Sequence, residues 1–283
     1  MLNVSRQAFY KYLERKRHPW KYDYIVNAMK EILEEDLYND TYGRYRMWEA
    51  LKLRHGDDPD FYIPGERTIY RIMQKAGISH TPRRTPNGIT KADRNARKSD
   101  DLFRRNFLAE IPLTKAVTDI TEIKAKDGKL YVSAIFDCYD LAVLGLAMDT
   151  NMKAPLCVQT IKNACMTYPN MKGCKVHSDR GTQYTSALYR EALAKHGIIQ
   201  SMNSDGGRCH DNARCESMWA RLKEELFYSR GLKSTRYTVA ELKVMIWRYY
   251  MSYWNNRRVC SSNKGLPPMV KRERYYHSLL QAA

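Results

Sequence analysis

The chain has 283 residues, of which 43% are hydrophobic, so it can bury two or three real cores, and wholesale disorder is excluded. Its seven cysteines are scattered without a Cys-x-x-Cys pair, and no apolar run approaches the roughly 18 residues of a membrane span. A zinc ribbon, a dithiol redox site and a transmembrane anchor are therefore disfavoured, and a cytoplasmic protein with reduced thiols is expected. The formal charge of +17 is uneven: residues 1–110 carry 22 basic and 16 acidic side chains, residues 111–228 carry 15 and 13, and residues 229–283 carry 11 and 2. A nearly neutral middle between basic ends suits a core that is presented to a polyanion by its flanks.

The first hundred residues read as helical. Ser5 is a plausible N-cap for a short helix through Leu13. A pair of helices is expected at 44–53 and 66–76. In the second, Ile69, Ile72, Met73 and Ala76 share one face, Arg67, Arg71 and Lys75 are left outside, and Gly77 stops the helix. Such a pair suits a helix-turn-helix reader of duplex DNA, or equally a plain helical hairpin. Residues 79–98 hold two prolines, a glycine and six basic residues against one acidic, the composition of a linker. From Lys115 the period changes. Strands are expected at 115–121, 130–137 (after the Asp127-Gly128 turn), 141–149, 174–178 and 198–202. Helices are expected at 155–168, 186–196 and 211–228. The order β-β-β-α-β-α-β-α predicts an α/β fold, a mixed five-stranded sheet with flanking helices, followed by a basic, aromatic-rich helical region. The expected organisation is a helical DNA-binding region at 1–78, a basic linker at 79–111, a catalytic core at 112–228 and a basic C-terminal region at 229–283.

Three carboxylates stand out by context. Asp119 lies inside a strand with no basic neighbour, a costly place for a charge unless it sits at a surface or holds a cation. Asp179 follows a strand and precedes Arg180-Gly181, at the strand end where open α/β sheets place their chemistry. Glu216 flanks the apolar helical seam Cys215, Trp219, Leu222 and Leu226, with Lys223 two turns further along the same side. Each has a plain alternative: an edge-strand charge for Asp119, a helix cap for Asp179, a surface partner of Lys223 for Glu216. Glu224 and Glu225, on the same helix, are left out of the site.

The surrounding segments resemble a family. Val117-Thr-Asp-Ile-Thr121, His177-Ser-Asp-Arg-Gly-Thr-Gln-Tyr-Thr-Ser186 and Asp211-Asn-Ala-Arg-Cys-Glu-Ser217 are similar to the three catalytic blocks of the IS-three group of bacterial insertion-sequence transposases. That group belongs to the DDE transposase and retroviral integrase superfamily. Thr41-Tyr-Gly-Arg-Tyr-Arg46 with residues 67–78 resembles the group's helix-turn-helix stretch. Tyr253-Trp-Asn-Asn-Arg-Arg258, with Gly265 and Pro268, resembles its C-terminal block. Ala116 stands where a tryptophan is common, Cys260 where a histidine is usual, and 36 residues rather than 35 separate Asp179 from Glu216. The surplus residue is expected in the loop 203–208.

The resemblance implies an RNase H-like core and a polynucleotidyl transferase that cleaves and joins DNA strands at the ends of a mobile element. It implies Asp119, Asp179 and Glu216 as ligands of two Mg²⁺ or Mn²⁺ ions, and Lys223 as a contact to the DNA end. Arg67, Arg71 and Lys75, with Arg257 and Arg258 of the C-terminal block, are the further DNA-binding candidates. Expected partners are the element's terminal inverted repeats and target DNA, a second copy of the chain, and a companion helix-turn-helix protein from a first reading frame. The alternatives are a nuclease of the same fold and an inert DNA-binding regulator.

Overall fold

The structure, a computed structural model, describes residues 5–17, 20–78, 100–104, 106–203 and 213–282. The linker expected at 79–98 and residues 204–208 of the loop expected to absorb the surplus residue lie outside the described residues. The chain divides into two compact units, residues 1–80 and 81–283.

In the first unit, Ser5 accepts the Ala8 N–H at the start of α1 (Arg6–Arg17). Helix α2 (Asp23–Glu35) buries Ile25, Ala28, Met29 and Ile32, an i, i+3, i+4, i+7 stripe that marks one face of a helix. It packs against α3 (Arg44–His55), which buries Met47, Ala50 and Leu51. Helix α4 (Glu66–Lys75) seals the unit with Ile69, Ile72 and Met73. Gly77 turns the chain at φ 71°, so that Ile78 donates back to the Met73 carbonyl at 2.9 Å, a glycine-terminated helix end.

The second unit is built on a five-stranded sheet in the order β3-β2-β1-β4-β5. Strands β1 (Lys115–Lys124), β2 (Lys129–Asp137) and β3 (Val143–Asp149) form an antiparallel meander. Its first hairpin closes where Ala125 donates to Gly128. Strands β4 (Lys175–Ser178) and β5 (Ile199–Met202) join β1 in parallel, and this order and mixture make the sheet RNase H-like. Helix α5 (Ala154–Thr167) crosses one face so closely that a Cβ on Gly145 would stand 2.5 Å from the Thr160 carbonyl. Beyond the short helix α6 (Thr182–Thr185), α7 (Ala187–Lys195) joins α5 on that face, starting at Ser186, whose side chain accepts the Tyr189 N–H. Ile120, Leu144, Leu156, Ile161, Val176, Leu193 and Met202 form the core beneath them. Between them the strands and helices lie within a few residues of their expected bounds, and α6 is an addition.

The opposite face is closed by α8 (Ala213–Leu226) and by the C-terminal segment. Thr238 and Glu241 form a reciprocal capping box at the start of α9 (Val239–Trp247). This helix runs into a π-helical turn over Arg248–Trp254 that places Tyr249, Tyr250, Tyr253 and Trp254 in the interior. Asn255 then completes the start of β3, accepting the Val143 N–H at 2.8 Å and donating to its carbonyl at 3.1 Å. Helix α10 (Pro268–Ala282) sends Arg272 into a buried pocket, where its guanidinium reaches Asp137 at 2.7 Å and Asp140 at 2.8 Å.

These contacts correct the expectation that Arg258 binds DNA. Its side chain is only 6% exposed, it grips Glu225 through a bidentate pair, and its guanidinium lies 4.3 Å from the Trp254 ring centroid. Desolvating a guanidinium is tolerable only with such a partner, so Arg258 is a structural cation and not a surface one. Glu225, outside the site as expected, is the buried partner of this cation. The part of the basic tail beyond Asn255 is integral to the core. Arg272→Met should leave Asp137 and Asp140 without the guanidinium that pairs with both and destabilise the second unit by about 3–5 kcal/mol. Thermal melts followed by circular dichroism check this, and a melting temperature equal to wild type would contradict it.

Candidate active site

The register of the parallel pair brings the first two carboxylates together. Val117 pairs with His177 at the end of the ladder; Asp119 lies two residues further along β1, and Asp179 follows one residue past the end of β4. Adjacent strands run about 4.8 Å apart, and the charge of Asp179 acts directly on Asp119. Strand β4 ends at Ser178, so Asp179 stands at the carboxyl end of its strand. Its Oδ1 accepts the Gly181 N–H at 2.9 Å. A Cβ at position 181 would lie 3.0 Å from that same oxygen, which is why a glycine suits this turn.

The face is the one that α8 covers. Asp119 pairs with Ala134 and Val117 with Phe136, so these side chains share a side, and Phe136 meets Trp219 of α8 edge-on at 5.3 Å between centroids. The buried seam of α8 is Cys215, Met218, Trp219, Leu222 and Leu226. Trp219 donates its indole N–H to Asp119 Oδ2 at 3.0 Å. Glu216, one turn earlier in the first turn of α8, stays exposed on the flank of that seam.

Electrostatics report the crowding. The Asp119 carboxyl is pushed up to about 7, first by burial and then by the charge of Asp179, with a smaller push from Glu216. Hydrogen bonds from the Ile120 backbone and from Trp219 oppose the rise. The half-buried Lys223 ammonium is held below its ordinary range by desolvation, against the attraction of Asp119 and Glu122. All three of the expected acidic residues and Lys223 are thus brought to one region. The thiols of Cys157 and Cys215 and the phenols of Tyr184 and Tyr250 have their pKa values raised by burial, and none is an activated nucleophile.

The donor set is three carboxylates, the hard oxygen ligands that Mg²⁺ and Mn²⁺ prefer, and like charges this close favour a cation between them. Among the described residues no three His, Cys, Asp or Glu side chains close around a single point as in a one-ion cage. A pair of ions does not need such a cage, because a Mg²⁺ of this kind takes one or two carboxylates and completes its shell with water and substrate oxygens. The donor chemistry of these residues suits a hard divalent cation.

The remaining candidates fall elsewhere. Arg67, Arg71 and Lys75 lie on the exposed side of α4, with the Lys75 ammonium 3.9 Å from the Trp20 ring centroid. Arg257 is exposed beside the buried Arg258. Sequence reasoning placed Trp219 in the apolar seam and missed its bond to Asp119, since nothing local marks a seam indole as a partner of a residue 100 positions away.

A family of integrase core domains matches residues 109–209. The chain is similar to a transposase-like protein of Haemophilus influenzae, at 30% identity over 227 residues, 80% of this chain and 95% of that one. It is similar to a probable transposase for the insertion sequence element IS1353 of Shigella flexneri, at 30% identity over 273 residues, and spans 96% of its own length but 50% of that relative's. A transposase of insertion sequence IS3A in Escherichia coli K12 is 25% identical over 270 residues, 95% of this chain and 90% of that one. Among solved structures, the HTLV-2 integrase catalytic core domain in complex with magnesium, in its trimeric form, aligns at 16% identity with a TM-score of 0.40. That alignment covers 58% of this chain and 99% of that one.

The raised Asp119 carboxyl has a consequence for stability. Between about pH 4 and 7 the metal-free folded chain holds a proton there that the unfolded chain has released, so stability falls as pH rises through this window. Asp119→Asn should remove that fall and raise stability at pH 8 by on the order of 3 kcal/mol. Urea titrations of both proteins in EDTA at pH 5 and pH 8 test it. Equal pH dependence in the two would contradict it.

Proposed function

The chain belongs to the insertion-sequence transposases that carry an integrase core, and on that footing we propose that Asp119, Asp179 and Glu216 are its metal-binding carboxylates. The reaction is phosphodiester cleavage followed by strand transfer at the ends of the mobile element. The observation that carries the site assignment is the place of Asp119 beneath the helix that carries Glu216, where the charges of both Asp179 and Glu216 act on it. Two divalent cations, when bound, supply the electrophilic stabilisation of the attacking and leaving oxygens of an in-line displacement.

The chain's own residues do the rest. The three carboxylates fix where the ions stand, one on β1, one just past the end of β4 and one on α8. Lys223, near Asp119 and Glu122, offers an ammonium to a phosphate of the DNA end at the rim of the same site. No side-chain nucleophile takes part, since the attacking groups are water and then the freed 3′-hydroxyl. His177 serves structure: its Nδ1 lies 2.8 Å from Ser201 Oγ, its Nε2 2.9 Å from Asn203 Oδ1, and its ring stacks on Phe103. That network ties β4 to β5 next to Asp179.

The exposed cations of α4 and Arg257 are DNA contacts in this reading, and the DNA is the element's inverted repeats and its target. Two element ends acting together call for at least two copies of the chain, and a first-frame helix-turn-helix protein is a further candidate partner. No helix among the described residues is long and apolar enough to cross a membrane.

Asp119→Asn, Asp179→Asn and Glu216→Gln each keep shape and remove a charge. Each should lower Mg²⁺- or Mn²⁺-dependent strand transfer on a pre-cut element end by about a thousandfold or more, the equivalent of about 4 kcal/mol. Glu224→Gln, further along α8, should stay active. If Glu216→Gln retains strand transfer while Glu224→Gln loses it, the third carboxylate is misassigned. Hydrolysis without joining by the wild-type chain would make it a nuclease.

Neutralising Arg67, Arg71 and Lys75 together should reduce discrimination between element ends and random duplex. Binding titrations at fixed salt read this out. Equal losses on both DNAs would show that α4 contacts phosphates only.

A further inference from the structure

The geometry points to Trp219 as a positioning residue for the divalent-cation site, its indole N–H holding the Asp119 carboxylate in the orientation that receives the ion. This inference rests on the proposed role of Asp119 and adds a residue to it. A buried indole needs an acceptor for its N–H. Trp219 is 5% exposed and its acceptor is the carboxylate oxygen Asp119 Oδ2, at 3.0 Å.

The donor is held from several sides. Phe136 packs edge-on at 5.3 Å between centroids and Tyr250 at 6.0 Å. The Tyr250 hydroxyl in turn donates to the carbonyl of Met218, the residue before Trp219, at 3.2 Å. At the far end of α8, Glu225 is gripped by Arg258 and receives the Tyr249 hydroxyl at 2.9 Å. The indole therefore belongs to a rigid aromatic block, and through its N–H that block reaches the side chain of Asp119.

The chemistry of the donor matters as much as its position. A lysine or arginine at this place would neutralise Asp119 and compete with a divalent ion. A neutral N–H orients the carboxylate and leaves its charge intact. An ionised carboxylate has about four lone-pair sites, so the N–H groups of Trp219 and Ile120 leave others available to a cation. The bond also joins β1 to α8, so the first and third carboxylates are held by one mechanical unit. Partners of this kind beyond the ligands themselves commonly change metal affinity by about 10–100-fold.

The experiment is a calorimetric titration of Mn²⁺ into the full chain at pH 7.5, on four proteins: wild type, Trp219→Phe, Asp119→Asn, and a chain with 3-benzothienylalanine introduced site-specifically at position 219. The last keeps the bicyclic shape and removes only the N–H donor. Trp219→Phe and the benzothienyl protein should both bind Mn²⁺ about tenfold or more weakly, and their strand transfer should half-saturate at correspondingly higher Mn²⁺. The benzothienyl protein should melt like wild type in EDTA. Wild-type Mn²⁺ affinity in the benzothienyl protein, with binding lost in Asp119→Asn, would overturn the positioning role while leaving the metal site standing. Unaltered Mn²⁺ binding by Asp119→Asn would overturn the metal site itself, and this inference with it. If Trp219→Phe does not fold, the benzothienyl protein decides the matter alone.

Discussion

The cost of charging Asp119 governs this site. Asp119 lies on the central strand of the sheet, where burial raises that cost first and the charges of Asp179 and Glu216 add to it. An isolated arrangement of that kind is unfavourable unless a cation or a proton resolves it. The rise of the Asp119 carboxyl to about 7 is the proton's answer, and divalent ions are the answer proposed above. The packing of the second unit holds Asp119 within electrostatic reach of Asp179 and Glu216.

The holding is done by ordinary packing. The parallel β1–β4 register sets the spacing of the two aspartates, the Asp179–Gly181 turn fixes the second, and the aromatic block of Phe136, Trp219, Tyr249, Tyr250 and Trp254 presses α8 onto the sheet. The C-terminal segment then secures that block with two buried ion pairs, Arg258 with Glu225 and Arg272 with Asp137 and Asp140. Pairs of this kind add little net stability over apolar replacements but are costly to break singly, so they act mainly by permitting one arrangement and no other. Part of the strong positive charge of residues 229–283 is thus internal. Arg248, Arg257, Lys264 and Arg274 are among those that remain exposed for a polyanion.

Much of this was legible in the chain. Asp127-Gly128 between β-rich runs marks a hairpin, and a charged Asp119 amid Val117, Ile120 and Ile123 is conspicuous by its cost. The family resemblance then joined Asp119 to Asp179 and Glu216, which spacing alone left as three independent residues with plain alternatives. Helix α2 was legible in principle from the stripe Ile25, Ala28, Met29, Ile32, yet it is not among the helices expected individually. The burial of Arg258 was not legible because it depends on a partner, Glu225, 33 residues away, and local pattern carries no trace of it. The same blindness hid the bond between Trp219 and Asp119. Sequence periodicity reports which face a residue is on, whereas these interactions are decided by what faces it.

The central claim is that Asp119, Asp179 and Glu216 together hold two divalent cations. The most direct measurement is the anomalous scattering of Mn²⁺ in crystals of the full chain bound to a pre-cut element end. The account predicts two peaks about 3.5–4 Å apart, one shared by Asp119 and Asp179 and the other within reach of Glu216. Peaks away from Asp119, or a fully loaded crystal with a single ion that Glu216 does not approach, would contradict it.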